Sequence, residues 1–408
     1  MQELSTDPKA RCPHFGSCGG CEFQDVAYPE QLARKSSALS TLFDFCWSHA
    51  IPVEASPVIW HYRNKVDPAF GGKHYDEPPP KGFQRETVLG FKPRGRWFGP
   101  IEIGECHIGP EGLAALLGSV QAWQRASGYR YYDTRSGAGF LRVLLVRDAK
   151  RTGQRMVVLI TAEGDLDATR FVDCVQTAFP SHSIQHAVFR GRAQIAAADE
   201  LRVLYGAPDI TEILHVPDGD AAPARKLSLR VSPFSFLQTN TLAAERLYAM
   251  IRAWMKQVAP STVYDLYGGM GSIAFACSDL AGEVHSVENV PEASADGRHN
   301  ARANGIDNVV FHTMKVEDYL HGLAERQQPF ADDSAVVLDP PRAGMHPRAL
   351  RCLLELAPRR FLYVSCKPTV LAQEMASFLE TYRIADMRAV DLFPHTPHVE
   401  LVVQFERR

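Results

Sequence analysis

Long apolar runs are absent from this sequence. A membrane-spanning helix needs a window of about 18 or more apolar residues, and none occurs in the 408 residues of the chain. Residues 1–5 also lack the basic segment and the apolar segment with which a secretory signal peptide begins. We therefore expect a cytoplasmic protein with no membrane partner.

Cysteine is uncommon, with nine residues in the chain. An odd number of cysteines without an export signal argues against a disulfide framework, because disulfides persist mainly in oxidising compartments. The cysteines of such a chain are better explained as metal ligands or reactive thiols.

A general excess of positive charge is also missing, because the formal net charge is −3. The basic residues nevertheless cluster. The stretch from Lys81 to Trp97 holds five cations and three aromatic rings, and the stretch from Arg125 to Arg155 holds eight basic residues against two acidic ones. Cations mixed with aromatic rings suit a phosphate backbone and unstacked bases, so these stretches predict RNA binding. The alternative is the solvated face of a β-rich domain.

Three of the cysteines lie close together in a C-x5-C-x2-C pattern at Cys12, Cys18 and Cys21. A fourth thiolate is needed to complete a metal site, and Cys106 is the best placed. Four thiolates suit tetrahedral zinc or an iron-sulfur cluster. A second C-x2-C pair is missing, which makes a zinc ribbon less favourable, so we expect a 4Fe-4S cluster. Incidental thiols are the alternative.

The chain is long enough for two or three domains. Residues 1–231 are predicted to form a basic α+β region that carries Cys12, Cys18, Cys21 and Cys106 and binds RNA. Residues 232–408 are predicted to form a second domain. The elements expected in the first region are helices at 28–49 and 166–178, a strand at 62–66, hairpins and loops at 66–100, and strands at 141–147, 156–161, 184–189 and 201–204.

The second region repeats a pattern of strand, turn and helix. A strand at 262–266 leads into the glycine turn 268–271, and another strand ends in Glu288 about twenty residues later, a spacing that suits a nucleotide-type cofactor. Glycines let the backbone approach such a cofactor, and the acid accepts hydrogen bonds from ribose hydroxyls. Two later strands end in Asp339 and Cys366. This order predicts an α/β domain with a doubly wound parallel sheet.

Cys366 ends an aromatic and β-branched run, residues 360–365. Open α/β sheets bind ligands beyond the carboxyl ends of their strands, so Cys366 is our candidate nucleophile. The alternative is a buried structural cysteine. Because Gly269-x-Gly271-x-x-Ala274 also matches the dinucleotide fingerprint, an iron-sulfur oxidoreductase that binds a dinucleotide is a second hypothesis. A non-catalytic RNA-binding protein is the third.

Several separate motifs together resemble the uracil-C5 RNA methyltransferase family over nearly the whole chain. The matching segments are the four cysteines, Phe236-Leu237-Gln238-Thr239-Asn240, Asp265-Leu266-Tyr267-Gly268-Gly269-Met270-Gly271, Asp339-Pro340-Pro341-Arg342, Val364-Ser365-Cys366 and Phe393-Pro394-His395-Thr396-Pro397-His398-Val399-Glu400. Gly268 departs from the family, whose members often have cysteine there, and this change is expected to loosen the turn.

The resemblance implies a Rossmann-like class I methyltransferase domain at 232–408 that uses S-adenosylmethionine. It also implies a set of functional residues: Cys366 as nucleophile, Glu400 as general base, Gln238, Tyr267, Glu288 and Asp339 as cofactor contacts, and Cys12, Cys18, Cys21 and Cys106 as ligands of the 4Fe-4S cluster. The expected substrate is RNA, with 23S ribosomal RNA favoured over transfer RNA. The short cluster-bearing form of the family is most similar to the enzyme that methylates U747 of 23S ribosomal RNA. A monomer is expected.

The chemistry of uracil fits these roles. Its C5 is a weak nucleophile until a thiolate has added to C6, and a base must then remove the C5 proton before the thiol can leave. An edge-strand charge is the alternative for Glu400. Phe236 is expected either to pack on an extruded uracil ring or to lie in the core, and His395 and His398 are expected to be solvated turn residues without a role.

Overall fold

The computed structural model describes residues 10–77, 79–80, 82–96, 98–219 and 224–408. Lys81, Trp97 and residues 1–5 lie outside the described residues. Contacts divide the chain into two compact units. Among the described residues, the first unit comprises 10–27, 59–212 and 231–234, and the second comprises 28–58, 213–230 and 235–408.

Among the described residues, one helix precedes the sheet of the first unit along the chain, two helices lie within that unit, and the other helices follow it. In chain order they are α1 (Tyr28–Leu42), α2 (Leu113–Ser127), α3 (Ala168–Ala178), α4 (Thr241–Val258), α5 (Ser272–Cys277), α6 (Pro291–Ala303), α7 (Val316–Glu325), α8 (Pro347–Leu356) and α9 (Pro368–Leu379).

The strands are mostly short in the first hundred residues and longer afterwards. In chain order they are β1 (Val53–Glu54), β2 (Lys65–Val66), β3 (Ala69–Gly72), β4 (Thr87–Gly90), β5 (Leu141–Asp148), β6 (Arg155–Thr161), β7 (Ser183–Val188), β8 (Glu200–Gly206), β9 (Ile210–Val216), β10 (Arg225–Val231), β11 (Thr262–Leu266), β12 (Glu283–Glu288), β13 (Val309–Thr313), β14 (Ser334–Leu338), β15 (Arg360–Ser365), β16 (Tyr382–Val390) and β17 (Glu400–Arg407).

The first unit contains a sheet with the strand order β4-β3-β5-β6-β7-β8, and β2 pairs with β5. Apolar side chains of α2 and α3 pack on β5 and β6 to form its core. The four strands predicted between residues 141 and 204 are present, and so is the helix near 166–178. Helix α2 was not predicted, although Leu113, Leu116, Leu117 and Val120 recur at helical spacing and are buried.

The second unit contains an eight-stranded sheet with the order β1-β16-β17-β15-β14-β11-β12-β13. Strands β11 to β15 pair in parallel, as predicted. The sheet is mixed rather than parallel throughout, because β17 runs antiparallel to both β15 and β16. The connection between β16 and β17 spans residues 391–399, and such a short connection suffices only for antiparallel neighbours.

Helix α1 and strand β1 belong to the second unit, which differs from a single division at residue 231. Val53 of β1 pairs in parallel with Ala389 of β16, and Leu39 and Phe43 join the apolar core of the second unit. An edge strand and a buried helix face hold residues 28–58 to that unit. The helix ends at Leu42, short of the predicted limit at residue 49.

Candidate active site

One edge of the second unit's sheet collects the predicted site residues. Tyr267 follows β11, Glu288 ends β12, Asp339 follows β14 and Cys366 follows β15. Parallel strands bring their carboxyl ends to the same edge. Strand β17 runs the opposite way and begins with Glu400, whose neighbour Leu401 pairs with Ser365. The antiparallel strand therefore delivers Glu400 to the edge that carries Cys366.

A cavity of about 750 Å³ opens at this edge, within the usual size range of ligand sites. Its lining includes every residue predicted as catalytic or cofactor-binding: Gln238, Tyr267, Glu288, Asp339, Cys366 and Glu400. The structure thus brings six residues from separate motifs to one cavity. Arg342 and Phe236 also line it.

The glycine turn after β11 is shaped for close approach by a ligand. Gly269 and Gly271 have φ angles of 56° and 89°, in the left-handed region that favours glycine. The carboxylate of Glu288 accepts hydrogen bonds from the backbone N–H of Gly269 at 3.0 Å and of Val290 at 2.7 Å. These bonds fix the orientation of Glu288 toward the turn.

Gly268 is held closely rather than loosely, contrary to the sequence-based expectation. A Cβ atom at this position would collide with Oγ of Ser286 and would lie 2.9 Å from Oδ2 of Asp265. Asp265 is fully buried and accepts a hydrogen bond from the N–H of Ala274 at 3.1 Å. The side chains of Ser286 and Asp265 occupy the space that a larger residue at 268 would need.

Asp339 is a partly buried acid that lines the cavity. Burial raises its pKa to about 7, and a hydrogen bond from Gln238 opposes that rise. The bond joins Nε2 of Gln238 to Oδ2 of Asp339 at 3.4 Å. A cation or a hydrogen-bond donor bound beside Asp339 would favour its ionised form.

Cys366 is partly exposed in the cavity, so the alternative of a sealed structural cysteine is wrong. Burial raises the pKa of its thiol to about 11, with further upward contributions from Glu400 and Asp339. Arg342 acts in the opposite direction and hydrogen-bonds the thiol. Arg342 was not predicted as a site residue, although it belongs to the Asp339-Pro340-Pro341-Arg342 motif.

Glu400 is a buried carboxylate, with only 1% of the residue exposed. Within the part of the chain that the structure describes, neither of its carboxylate oxygens has a hydrogen-bond partner. Burial raises its pKa well above the ordinary value, Asp339 adds to this rise, and Arg342 opposes it. An edge-strand charge facing solvent is therefore the wrong interpretation, and the carboxylate has the high proton affinity expected of a base.

Two further expectations are settled by burial. Phe236 is 59% exposed and lines the cavity, which excludes a position in the core. His395 is only 3% exposed, so the expectation of a solvated turn histidine is wrong.

A family model described as tRNA (Uracil-5-)-methyltransferase matches residues 193–408, more than half of the chain. The chain belongs to the tRNA (uracil-5-)-methyltransferase family. It is therefore an enzyme of the RNA (uracil-5-)-methyltransferase class. This assignment decides against the dinucleotide oxidoreductase and against the non-catalytic RNA-binding protein.

Relatives that are named RNA methyltransferases match nearly the whole of this methyltransferase chain. An uncharacterized RNA methyltransferase of Clostridium tetani is 31% identical, with 100% of this chain and 86% of the relative covered. One of Chlorobaculum tepidum is 33% identical over 97% of this chain and 82% of the relative. Among solved structures, the tRNA (uracil-54, C5)-methyltransferase of Pyrococcus abyssi in complex with S-adenosyl-L-homocysteine has a TM-score of 0.72 and 27% identity, covering 95% of this chain and 86% of that one.

In the first unit of this uracil-5-methyltransferase, the four predicted cysteine ligands line a second, smaller cavity of about 50 Å³. Burial raises the pKa of Cys12, Cys18 and Cys21, in the last case to about 12, and Cys106 raises all three further. Over residues 10–77, 79–80, 82–96, 98–219 and 224–408, no three His, Cys, Asp or Glu side chains form a group that could hold a single metal ion.

The basic stretch of the methyltransferase is only partly available to RNA. Arg142 and Arg147 are 1% and 2% exposed. Arg142 donates to the carbonyl of Ala193 at 3.0 Å, and Arg147 to that of Pro233 at 2.9 Å. These two arginines stabilise the first unit from within, whereas Arg125, Arg130, Arg135 and Arg151 are exposed.

No described helix has the length and apolar character that crossing a membrane requires.

The raised pKa of Cys366 predicts a steep pH dependence for its reactivity. Because the thiol pKa is about 11, the thiolate fraction should rise about tenfold per pH unit below that value. The alkylation rate by iodoacetamide, taken as the difference between the wild type and Cys366→Ala, should therefore increase about tenfold per unit between pH 7 and 9. Arg342→Gln should lower the rate at each pH, since Arg342 favours the thiolate. A rate that is flat with pH in this range would contradict the assignment.

Proposed function

We propose that this methyltransferase transfers a methyl group from S-adenosylmethionine to C5 of a uridine in RNA through a covalent bond between Cys366 and C6. The observation that carries the proposal is that Cys366, Glu400 and the four predicted cofactor contacts line one cavity. A nucleophile, a base and a cofactor site must share one cavity for this reaction to occur on one ring.

The residues of the cavity suit S-adenosylmethionine. When bound, it supplies a methyl group on a positively charged sulfonium. Glu288, oriented by two backbone N–H groups, has acceptor capacity left for ribose hydroxyls. Gln238 and Tyr267 would hold the cofactor together with Asp339, whose negative charge complements the sulfonium. The P. abyssi structure, which contains S-adenosyl-L-homocysteine, supports this assignment by similarity.

Cys366 starts the reaction as a thiolate. Its sulfur forms a bond to C6 of uracil, and the electron pair of the C5–C6 double bond moves to the ring carbonyl, which gives an enolate with a nucleophilic C5. Arg342 hydrogen-bonds the thiol and favours its ionised form. The thiol proton is lost to solvent, to which Cys366 is partly exposed, so the carboxylate of Glu400 stays unprotonated for the later step.

Glu400 completes the reaction after C5 has gained the methyl group. Its carboxylate takes the C5 proton, the C–H electron pair restores the C5–C6 double bond, and the C6–S bond breaks to release Cys366 as a thiolate. A buried carboxylate with no hydrogen-bond partner in the described residues keeps its lone pairs available for this proton.

The uracil must leave its stack to enter the cavity. A stacked base cannot present C5 and C6 to a thiol and a methyl donor at once, so the target is an extruded or single-stranded uridine. Phe236, which is exposed at the cavity, would stack on that ring. The exposed arginines of the first unit, such as Arg130 and Arg135, would contact RNA phosphates.

For the RNA target we propose 23S ribosomal RNA at a U747-type site, on the basis of the sequence resemblance to the short cluster-bearing form. Transfer RNA is the second candidate, favoured by the family's name and by the tRNA (uracil-54, C5)-methyltransferase of P. abyssi. A monomeric state and a cytoplasmic location stay predictions.

Mapping 5-methyluridine in ribosomal and transfer RNA from cells with and without the gene tests the function and the target together. Loss of one 5-methyluridine in 23S ribosomal RNA, restored by the wild type and not by Cys366→Ala, is the expected result. Loss confined to transfer RNA would replace the first target by the second. Unchanged 5-methyluridine in both RNA classes would contradict the proposed function.

For the first unit we propose a 4Fe-4S cluster held by Cys12, Cys18, Cys21 and Cys106. The four thiols line one cavity, and Cys106 influences the pKa of each of the other three. Among the described residues, no group of side chains is arranged to hold a single metal ion. A 4Fe-4S cluster does not need such a group, because each of its four thiolate ligands binds a different iron. A structural role is expected, because the transfer reaction needs no electron.

Cys106→Ser should therefore lower the iron and acid-labile sulfide of anaerobically purified protein by at least about tenfold, since it removes one of four ligands. Cys174→Ser is the matched control, because Cys174 is a partly buried cysteine of the same unit that hydrogen-bonds Ser119 instead. Colourless wild-type protein that contains one zinc per chain would contradict the cluster.

A further inference from the structure

The position of Glu400 depends on the segment that precedes it, residues 391–399, which connects β16 to β17. At the start of this connection, Val390 pairs with Glu400 on one side and with Glu54 of β1 on the other. The backbone N–H of Asp391 continues the β1 pairing by donating to the carbonyl of Glu54 at 2.9 Å. Anything that moves Asp391 therefore acts directly on the strand neighbour of Glu400.

Helix α1 presents a polar buried face to this connection. Its buried residues are Tyr28, Gln31, Lys35 and Leu39, which recur at helical spacing and form one face. A helix that only anchors a chain usually buries an apolar stripe. Two of these four side chains are instead a cation and an amide, and buried polar groups of this kind need specific partners.

Lys35 has its partners in the 391–399 connection. Its ammonium lies 2.7 Å from Oδ1 of Asp391, and the two side chains are 1% and 0% exposed. The same ammonium donates to the carbonyl of Phe393 at 3.1 Å. Oδ1 of Asp391 also accepts the N–H of Phe393 at 3.0 Å, so one buried ion pair fixes the first turn of the connection. Phe393 itself lines the cavity.

Gln31 holds the next part of the connection. Its Oε1 accepts the backbone N–H of His395 at 2.8 Å, and its Nε2 lies 3.1 Å from Nδ1 of the same histidine. His395 has a φ angle of 66°, a left-handed conformation that is uncommon for a residue other than glycine. Such a conformation persists where surrounding contacts enforce it.

We infer that Lys35 and Gln31 are positioning residues for the reaction: they hold residues 391–399 in the conformation that aims the carboxylate of Glu400 into the cavity. The inference rests on the proposed role of Glu400 as the base. Neither residue touches the reacting atoms, and their effect is carried by the backbone between Asp391 and Glu400. A displacement of about 1 Å in a catalytic group can lower a rate by about 10²-fold.

The proton-removal step should therefore suffer more than the earlier steps in Lys35→Gln. This variant keeps a buried hydrogen-bond donor but removes the charge that binds Asp391. We expect release of tritium from RNA labelled at C5 of uridine to slow by about 10²-fold. Formation of the methylated covalent adduct should change less than about threefold, because the variant leaves Cys366 and the cofactor contacts in place. The methylated covalent adduct should consequently accumulate with RNA that carries ordinary uridine at the target position.

Arg34→Gln is the matched control, since Arg34 is the adjacent residue of α1, is half exposed and pairs with Glu30 on the surface. It should behave as the wild type in both steps. S-adenosylhomocysteine affinity and the melting temperature should be measured for each variant. If Lys35→Gln does not fold, Gln31→Met decides in its place with the same two rates.

Two results would overturn the inference. One is wild-type tritium release in the folded variant, and the other is an equal loss of both steps together with weaker S-adenosylhomocysteine binding, which a merely structural role predicts. Glu400→Gln, measured in parallel, separates this inference from the function. Adduct accumulation in Glu400→Gln but not in Lys35→Gln refutes only the positioning role, whereas its absence in both refutes the base assignment.

Discussion

Cys366→Ala should lower the rate of uridine methylation by on the order of 10⁴-fold or more, because C5 of uracil is too weakly nucleophilic without a thiolate bonded to C6. Cofactor binding should persist, since Gln238, Tyr267, Glu288 and Asp339 are unchanged. The measurement is transfer of a labelled methyl group to RNA under single-turnover conditions, beside the affinity for S-adenosylhomocysteine.

Cys46→Ala provides the control for this substitution. Cys46 is another partly buried cysteine of the second unit, and its thiol donates to the carbonyl of Phe43 at 3.5 Å, away from the cavity lining. Its rate should stay within about twofold of the wild type, as for a substitution outside the reacting groups. Comparable methylation by Cys366→Ala and Cys46→Ala would show that the reaction needs no sulfur at position 366.

Glu400→Gln should separate the two halves of the reaction. Product release should fall by about 10²- to 10⁴-fold, the usual contribution of a general base. Adduct formation should not slow, because the negative charge of Glu400 raises the pKa of Cys366. Removal of that charge lowers the pKa and so favours the thiolate. A methylated RNA-protein adduct that survives denaturation should therefore build up with ordinary RNA, and gel electrophoresis would detect it.

Glu406→Gln is the matched control on the same strand. Glu406 lies near the far end of β17, where its partly exposed carboxylate pairs with Arg383. That variant should turn over normally and form no lasting adduct, since exposed ion pairs contribute little to stability. Turnover by Glu400→Gln at the rate of Glu406→Gln would require a different base.

Local sequence patterns predicted most of the elements around the site. Strand β12 was predicted to end in Glu288, as observed, because a carboxylate about twenty residues after a glycine turn suits a nucleotide-type cofactor. Cys366 and Asp339 were predictable as site residues because each directly follows an apolar strand, and parallel strands end at one edge. The direction of β17 was not predicted, since the apolar pattern of a strand is the same for both directions.

The burial of polar residues was much harder to predict. Arg142 and Arg147 were interpreted as part of an RNA-binding surface, yet their partners are backbone carbonyls far along the chain. Lys35 finds its partner Asp391 at a separation of 356 residues. Composition and periodicity carry no information on such pairings, because they depend on which elements the tertiary structure places side by side.

The most direct test of the account is to trap the covalent intermediate and identify its attachment site. RNA with 5-fluorouridine at the target position should form a denaturation-resistant adduct in the presence of S-adenosylmethionine, because fluorine at C5 cannot leave as a proton does. Peptide mapping by mass spectrometry should find the nucleotide on Cys366, linked through sulfur to C6, with the methyl group at C5. An adduct on any other residue, or no adduct with RNA that the enzyme otherwise methylates, would contradict the central claim.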